Sequence, residues 1–480
     1  MSAPTFIGRK DELNALKGLL DKKVASLVVI RGRRRIGKSR LAAEFARPYT
    51  FYSFAGLAPE PEVTAQSQRN EFGIQLSQQT GLPEIQLDDW SKVFILLANQ
   101  VKTGRVIILF DEITWMAHGD PTFLSKLKNA WDLHFSKNSK LILILCGSVS
   151  AWIEKKIMQS TGFIGRISLE LVIQELSLFY CNQLFEALGF HHSVYEKMQY
   201  LSLTGCIPWY LEQLNPKQSA ENNIRRLCFR PNAVMLQEFK RVFYDLFGRR
   251  EEIYQKITSA LAGKMLDYTT LAKTINYPKS STFTDYLAEL ECSGYIAKYH
   301  TWKLATGKKS KLFRYRLSDN YLRFYFSFLR SRLDEIEKGR CANIVVESLP
   351  GWRSILGLQF ENLVLNNRDL ILKTLNIHPE ETVADDPYFQ RTTLQTKGCQ
   401  IDYLIQTKTK TLYVCEIKFT KNLDASKIIA EMKAKMAALS LPRGFSAVPV
   451  LIHFSDDEVT EAMRLYFYKT IYFGDFFKMA

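Results

Sequence analysis

Short unbroken apolar runs alternate with longer segments of helical spacing along the first part of the chain. Leu27–Ile30, Val106–Phe110 and Leu141–Cys146 are continuous aliphatic stretches. Runs without polar alternation predict strands buried on both faces, as in a parallel α/β sheet. Residues 1–215 are therefore expected to form one α/β core. Residues 216–249 are polar and Arg-rich, with Pro216 and Pro231, and predict a helical connector. Over 250–320, Glu251–Ala262, Tyr268–Ile275 and Ser281–Cys292 have helical spacing and precede a hairpin with its turn at Thr306–Lys311. Leu287, Leu290 and Ile296 are the expected core of that segment. Residues 321–350 read as a linking helix, and a second α/β unit is predicted over 351–480.

Composition narrows the classes. With 46% hydrophobic and 24% charged residues, the 480-residue chain is not disordered or collagen-like. No apolar run reaches the ~18 residues of a membrane helix. The opening MSAPTFIGRKDEL lacks an apolar signal core, so a cytoplasmic location away from membranes is expected. The 8 cysteines form no CxxC pair and read as reduced thiols, which leaves a zinc site without support. His118 and His191-His192 lack ligand spacing and read as surface residues. The net charge of +15 is uneven: residues 221–340 hold 23 Lys and Arg against 13 Asp and Glu. Such a segment suits a polyanion partner, DNA first, or else a solvated basic surface. The aromatic and basic run Tyr321–Phe328 suits base stacking or, more simply, a packed interdomain helix.

Gly32-Arg33-Arg34-Arg35-Ile36-Gly37-Lys38-Ser39 satisfies GxxxxGK[ST], follows a predicted strand and opens a predicted helix at Arg40. Glycines let backbone N–H groups turn around phosphate oxygens, Lys38 reaches the β- and γ-phosphates, and the Ser39 hydroxyl ligates Mg²⁺. A second strand ends in Asp111-Glu112, where Asp111 would hold Mg²⁺ through water and Glu112 would polarise the attacking water. The same two acids would also serve as a plain helix N-cap. Ser148, at the tip of a third strand, is either a γ-phosphate sensor or part of a simple turn. Arg166 would face a phosphate, in its own subunit or a neighbour's, and Pro208 would close over the base.

Phe6-Ile7-Gly8-Arg9-Lys10-Asp11-Glu12-Leu13, the phosphate loop, Phe110-Asp111-Glu112, Cys146-Gly147-Ser148, Gly165-Arg166 and Thr204–Leu211 follow one another in this order along the chain. This set resembles the archaeal-type ATPase family, in the signal-transduction branch of AAA+ P-loop ATPases. The resemblance implies ATP and Mg²⁺ as cofactors, Gly8 and Arg9 near the nucleotide, and Gly205–Pro208 near the adenine. The family has two glycines before the Ile-Pro step, and here Cys206 takes the second place.

The middle segment resembles a winged helix. That implies a third helix in the DNA major groove and a hairpin on backbone phosphates. Lys279, Ser281 and Thr282 are the helix contacts expected, and Lys308, Lys309 and Lys311 the hairpin contacts. A structural or regulatory lid is the alternative.

Gln400–Ile405 and Leu412–Phe419 read as two strands joined at about Thr407–Lys410. Alternation puts Glu416 and Lys418 on one face. Pairing centred on Thr409 would set Asp402 opposite Glu416. Facing carboxylates repel unless a cation holds them, and Mg²⁺ accepts such ligands. Lys418 would then activate a water, and Glu361, on a helix upstream, would reach the same patch. This Glu…Asp…Glu-x-Lys series is similar to the restriction-endonuclease-like superfamily. A salt-bridged Glu416–Lys418 pair on a strand face, or a domain that binds DNA without cutting, are the alternatives. The expected whole is a multidomain α/β protein: an Mg-ATP-hydrolysing, DNA-associated ATPase with a nuclease-like end. The competing reading is a nucleotide-controlled switch or scaffold with that end inert. The sequence leaves homo-oligomer formation open.

Overall fold

The computed structural model describes residues 6–84, 86–148, 151–247, 250–394, 396–455 and 457–479. It divides into two compact units, Met1–Glu175 with Arg241–Arg249 and Leu176–Lys240 with Arg250–Ala480.

The first unit is built on β1 (Ser26–Gly32), β2 (Thr50–Ala55), β3 (Val106–Asp111), β4 (Ile142–Ser148) and β5 (Ile167–Ile173). Their order is β2-β3-β4-β1-β5, and every neighbouring pair is parallel. The three predicted strands are the inner three, whose aliphatic residues are buried on both faces. The edge strands β2 and β5 are only partly buried and mix polar with apolar residues, which hid them in the sequence. One face of the sheet packs Phe54 and Phe110 against Phe72, Trp90, Phe94 and Phe123. Parallel strands place their C-terminal ends on one side of the sheet, where β1 and β3 deliver the phosphate loop and the acid pair.

The second unit contains the three expected helices, Glu251–Ala260, Tyr268–Thr274 and Ser281–Cys292, followed by the antiparallel pair β6 (Ile296–Trp302) and β7 (Lys309–Leu317). The turn falls three residues earlier than predicted: Lys303 N–H donates to the Lys308 carbonyl at 2.9 Å, so Lys309 and Lys311 lie on β7. Leu287, Leu290 and Ile296 are buried.

A mixed sheet follows: β8 (Thr382–Gln390), β9 (Cys399–Thr407), β10 (Thr411–Phe419), β11 (Ser446–Phe454) and β12 (Lys469–Tyr472). Its order is β12-β11-β10-β9-β8, antiparallel from β8 to β10 and parallel from β10 to β12. The hairpin is docked on this sheet. Trp302 Nε1 donates to Gln406 Oε1 at 2.6 Å, and Trp302 and Leu304 share an apolar cluster with Tyr388, Ile401 and Leu404. The Tyr321–Phe328 run is packed inside this unit: Tyr321, Phe324 and Phe328 are at most 1% exposed. None of the eight cysteines is in a disulfide. No helix among the described residues is long and apolar enough to cross a membrane.

Candidate functional site

The phosphate loop leaves β1 at Gly32 and enters the Lys38–Ala46 helix through Gly37. Gly32 is pressed against β5: an added Cβ would lie 2.6 Å from the Ile173 carbonyl oxygen. Arg35 (φ 67°) and Gly37 (φ 92°) are both left-handed, which curls successive N–H groups inward as in an anion-binding nest. Lys38 is buried, and its amine donates to the Gly32 and Arg33 carbonyls at 3.1 and 3.0 Å. Ser39 is exposed at the mouth, with Arg40 behind it on the helix.

Arg9 fastens the N-terminal motif to this loop, donating to the Ile36 carbonyl at 3.2 Å and to the Gln174 carbonyl at 2.5 Å. Both Gly8 and Arg9 are left-handed. Arg33 pairs with Glu175 at 3.3 Å.

At the end of β3, Asp111 Oδ1 accepts the Glu112 N–H at 3.1 Å. Glu112 sits at φ 48°, ψ 53°, a left-handed conformation rare for a side-chain-bearing residue and enriched at functional sites. Burial pushes its carboxyl above the usual range, Asp111 adds to that, and Lys38, Arg34 and the Ser148 N–H act against it. Lys38, Arg34, Asp111, Glu112 and Ser148 thus surround one point at the C-terminal ends of β1, β3 and β4. The donor set fits a triphosphate with a hard cation: a curled N–H loop, a buried amine, a hydroxyl and a carboxylate. Arg166 instead forks onto Asp132 at 2.8 and 2.9 Å, a partner on the Phe123–Leu133 helix that its sequence gave no reason to expect. Pro208 opens the Pro208–Glu212 helix in the second unit. Gly205 there has φ 56° and ψ −158°, open only to glycine, whereas Cys206 is buried and needs no such freedom.

Exposed side chains at Lys279, Ser281 and Thr282 mark the start of the Ser281–Cys292 helix, and Lys308, Lys309 and Lys311 are exposed on the hairpin.

The second carboxylate centre lies on β9 and β10. Their register pairs Leu412 with Gln406 and Cys415 with Tyr403, and its continuation sets Asp402 opposite Glu416, as pairing about Thr409 requires. Asp402 Oδ2 accepts the Ile417 N–H at 3.0 Å. Lys418 Nζ lies 2.8 Å from Glu416 Oε1 and 2.7 Å from Glu431 Oε2. Lys435, absent from the sequence reading, places its Nζ 2.5 Å from Glu416 Oε2 and 3.5 Å from Asp402 Oδ1. It stands on the Ala425–Ala438 helix three residues beyond buried Met432 and seven beyond buried Ile428, a helical face that could have marked it.

Of the expected Mg²⁺ set of Glu361, Asp402 and Glu416, Glu361 acts on Asp402 through its charge while ion-pairing with Arg316 at 3.5 Å, and an ammonium stands between the other two. Among the described residues no three His, Cys, Asp or Glu are grouped to hold a metal ion.

Burial, then Glu416, pushes the Asp402 carboxyl up to about 7. The fold therefore holds a proton there that the unfolded chain releases near 3.8, the ordinary aspartate value. Stability from this group is full at low pH and falls as pH rises toward 7. Asp402→Asn is expected to raise the melting temperature at pH 8 and to flatten its pH dependence between pH 5 and 8, measured by thermal denaturation. An unchanged melting profile would count against this environment.

Residues 6–214 match a family described as an ATPase domain predominantly from Archaea. An uncharacterized protein of Methanocaldococcus jannaschii, MJECL04, is 26% identical over 453 residues, covering 91% of this chain and 93% of its own. Among solved structures, the Walker-type ATPase PABY2304 of Pyrococcus abyssi is 16% identical, covers 67% of this chain and 96% of its own, and has a TM-score of 0.48. The Aeropyrum pernix ORC2 protein is 15% identical, covers 71% and 96%, and has a TM-score of 0.42. Residues 6–214, which match that family, contain the parallel sheet and the loop that leaves it.

Proposed function

We propose that this chain is an Mg-ATP-hydrolysing ATPase that acts in association with DNA, with a winged helix in its middle and a restriction-endonuclease-like domain at its end. The observation that carries this reading is the gathering of Lys38, Arg34, Asp111 and Ser148 about the half-buried Glu112 carboxylate at the C-terminal ends of β1, β3 and β4. When bound, Mg²⁺ would supply charge neutralisation at the phosphates. Ser39 and Asp111 would hold the ion. The loop N–H groups and Lys38 bind and orient the phosphates, Glu112 takes the proton of the attacking water, and Ser148 fixes the Glu112 carboxylate.

The DNA part rests on the basic segment, on exposed Lys279 just ahead of the Ser281–Cys292 helix, and on the exposed lysines of the hairpin. Arg166 is not assigned a nucleotide role, because Asp132 already holds both arms of its fork. The switch reading, with an inert C-terminal domain, has one observation in its favour: Lys435 between Asp402 and Glu416, with Glu361 diverted to Arg316.

The test is ATP turnover by the full chain with and without duplex DNA, beside nicking of supercoiled plasmid in Mg²⁺ or Mn²⁺. We expect turnover that DNA accelerates. We also expect DNA affinity to fall steeply with salt, with a log–log slope of roughly −0.9 per phosphate neutralised. Absence of turnover would remove the ATPase reading. Turnover without salt-sensitive DNA binding would leave the switch.

A further inference from the structure

We infer that the ammonium of Lys435 is the cation around which the Asp402–Glu416 pair is built, so that a divalent metal ion enters this centre only by displacing Lys435. Glu416 is 1% exposed, and a carboxylate so placed needs opposite charge or hydrogen-bond donors. Both its oxygens are taken, Oε1 by Lys418 at 2.8 Å and Oε2 by Lys435 at 2.5 Å. Lys418 divides its charge with Glu431 at 2.7 Å, whereas the ion pairs of Lys435 are with Asp402 and Glu416. Asp402 commits Oδ2 to the Ile417 N–H and turns Oδ1 to Lys435.

Charge favours exchange over addition. With or without the proton on Asp402, Asp402, Glu416 and Glu431 against Lys418 and Lys435 leave at most one net negative charge. A divalent ion added beside Lys435 would overshoot to a positive centre in a partly buried place. A divalent ion replacing it makes that excess one charge smaller. Distance gives the same answer, since Mg²⁺ needs oxygens at about 2.0–2.1 Å without an ammonium among them. Lys435 keeps a quarter of its side chain exposed, so its flexible stem has a route to water.

The inference rests on Asp402 and Glu416 forming a cation centre and does not require that the chain cut DNA. The test therefore omits DNA and nucleotide. It uses the full chain carrying Asp111→Asn, which disables the acid pair of the phosphate site. Mn²⁺ binding is read by electron paramagnetic resonance, and melting temperature is read in EDTA and in Mn²⁺.

Lys435→Met is expected to bind Mn²⁺ about tenfold or more tighter than the parent, to melt lower in EDTA, and to recover in Mn²⁺. Lys435→Arg is expected to bind Mn²⁺ as weakly as the parent. Lys435→Met with Glu416→Gln, which removes a negative charge along with the positive one, is expected to melt like the parent in EDTA and to ignore Mn²⁺. If Lys435→Met folds only when Mn²⁺ is present, the inference stands. Unchanged Mn²⁺ affinity, a melting temperature indifferent to Mn²⁺, or failure to fold under both conditions overturns it. A chain that fails to nick plasmid yet shows these shifts would lose the nuclease reading and keep this one.

Discussion

Glu112→Gln is expected to leave ATP binding close to that of the native chain and to lower turnover by a factor on the order of 10²–10⁴, the usual contribution of a positioned general base. Glutamine matches glutamate in size and keeps an acceptor toward the Ser148 N–H. It cannot accept the proton of water. Lys38→Ala should behave differently, because the amine lies inside the loop at 3.0–3.1 Å from two of its carbonyls. Its removal would take away the proposed phosphate contact together with a support of the loop, so binding and turnover should fall together. Phosphate release and titration with a fluorescent ATP analogue separate the two outcomes. Burial raises the Glu112 pKa, so turnover by the native chain should decline on acidification sooner than an ordinary carboxylate would dictate. Native turnover by Glu112→Gln would show that another group serves as the base.

Arg323→Met should be the most damaging substitution for the fold of the second unit. Arg323 is 2% exposed. Its guanidinium donates to the carbonyls of Ala262, Leu317 and Leu358 at 3.0, 2.5 and 2.9 Å and to Gln359 Oε1 at 3.3 Å. Burial pulls its pKa down to about 9, so the group stays charged at neutral pH and every bond is charge-assisted. Methionine fills much of the volume and strands those acceptors in a dry place. The expected cost is about 3–5 kcal/mol, against a total of ~5–15 kcal/mol for a typical domain. Urea denaturation followed by tryptophan fluorescence measures it. Arg330→Ala, at an exposed position nearby, should change stability by no more than ~0.5 kcal/mol. Equal effects from the two substitutions would show that the buried network carries little.

What the sequence revealed followed from local physics. The inner strands were legible because burial on both faces demands continuous aliphatics, and the phosphate loop because backbone curvature demands glycine at set spacing. The facing of Asp402 and Glu416 was legible because a short connection fixes the register of its two strands. The edge strands β2 and β5 were hidden by their half-exposed, mixed composition. The diversion of Glu361 was hidden because its partner, Arg316, comes from a hairpin 45 residues away. Lys435 was hidden among several lysines on one helix, of which only the packing of Ile428 and Met432 selects the one that turns inward. Arg166 looked like a phosphate contact until the helix bearing Asp132 was in place.

The seating of the hairpin on the C-terminal sheet has a mechanical meaning. With Trp302 and Leu304 embedded among Tyr388, Ile401 and Leu404, the exposed lysines of the hairpin and the carboxylates of β9 and β10 belong to a single rigid piece. A nucleic acid strand gripped by the former would meet the latter at one set separation. The pair would act as a caliper, and its measure would change with the length of the hairpin turn and not with the nucleotide state.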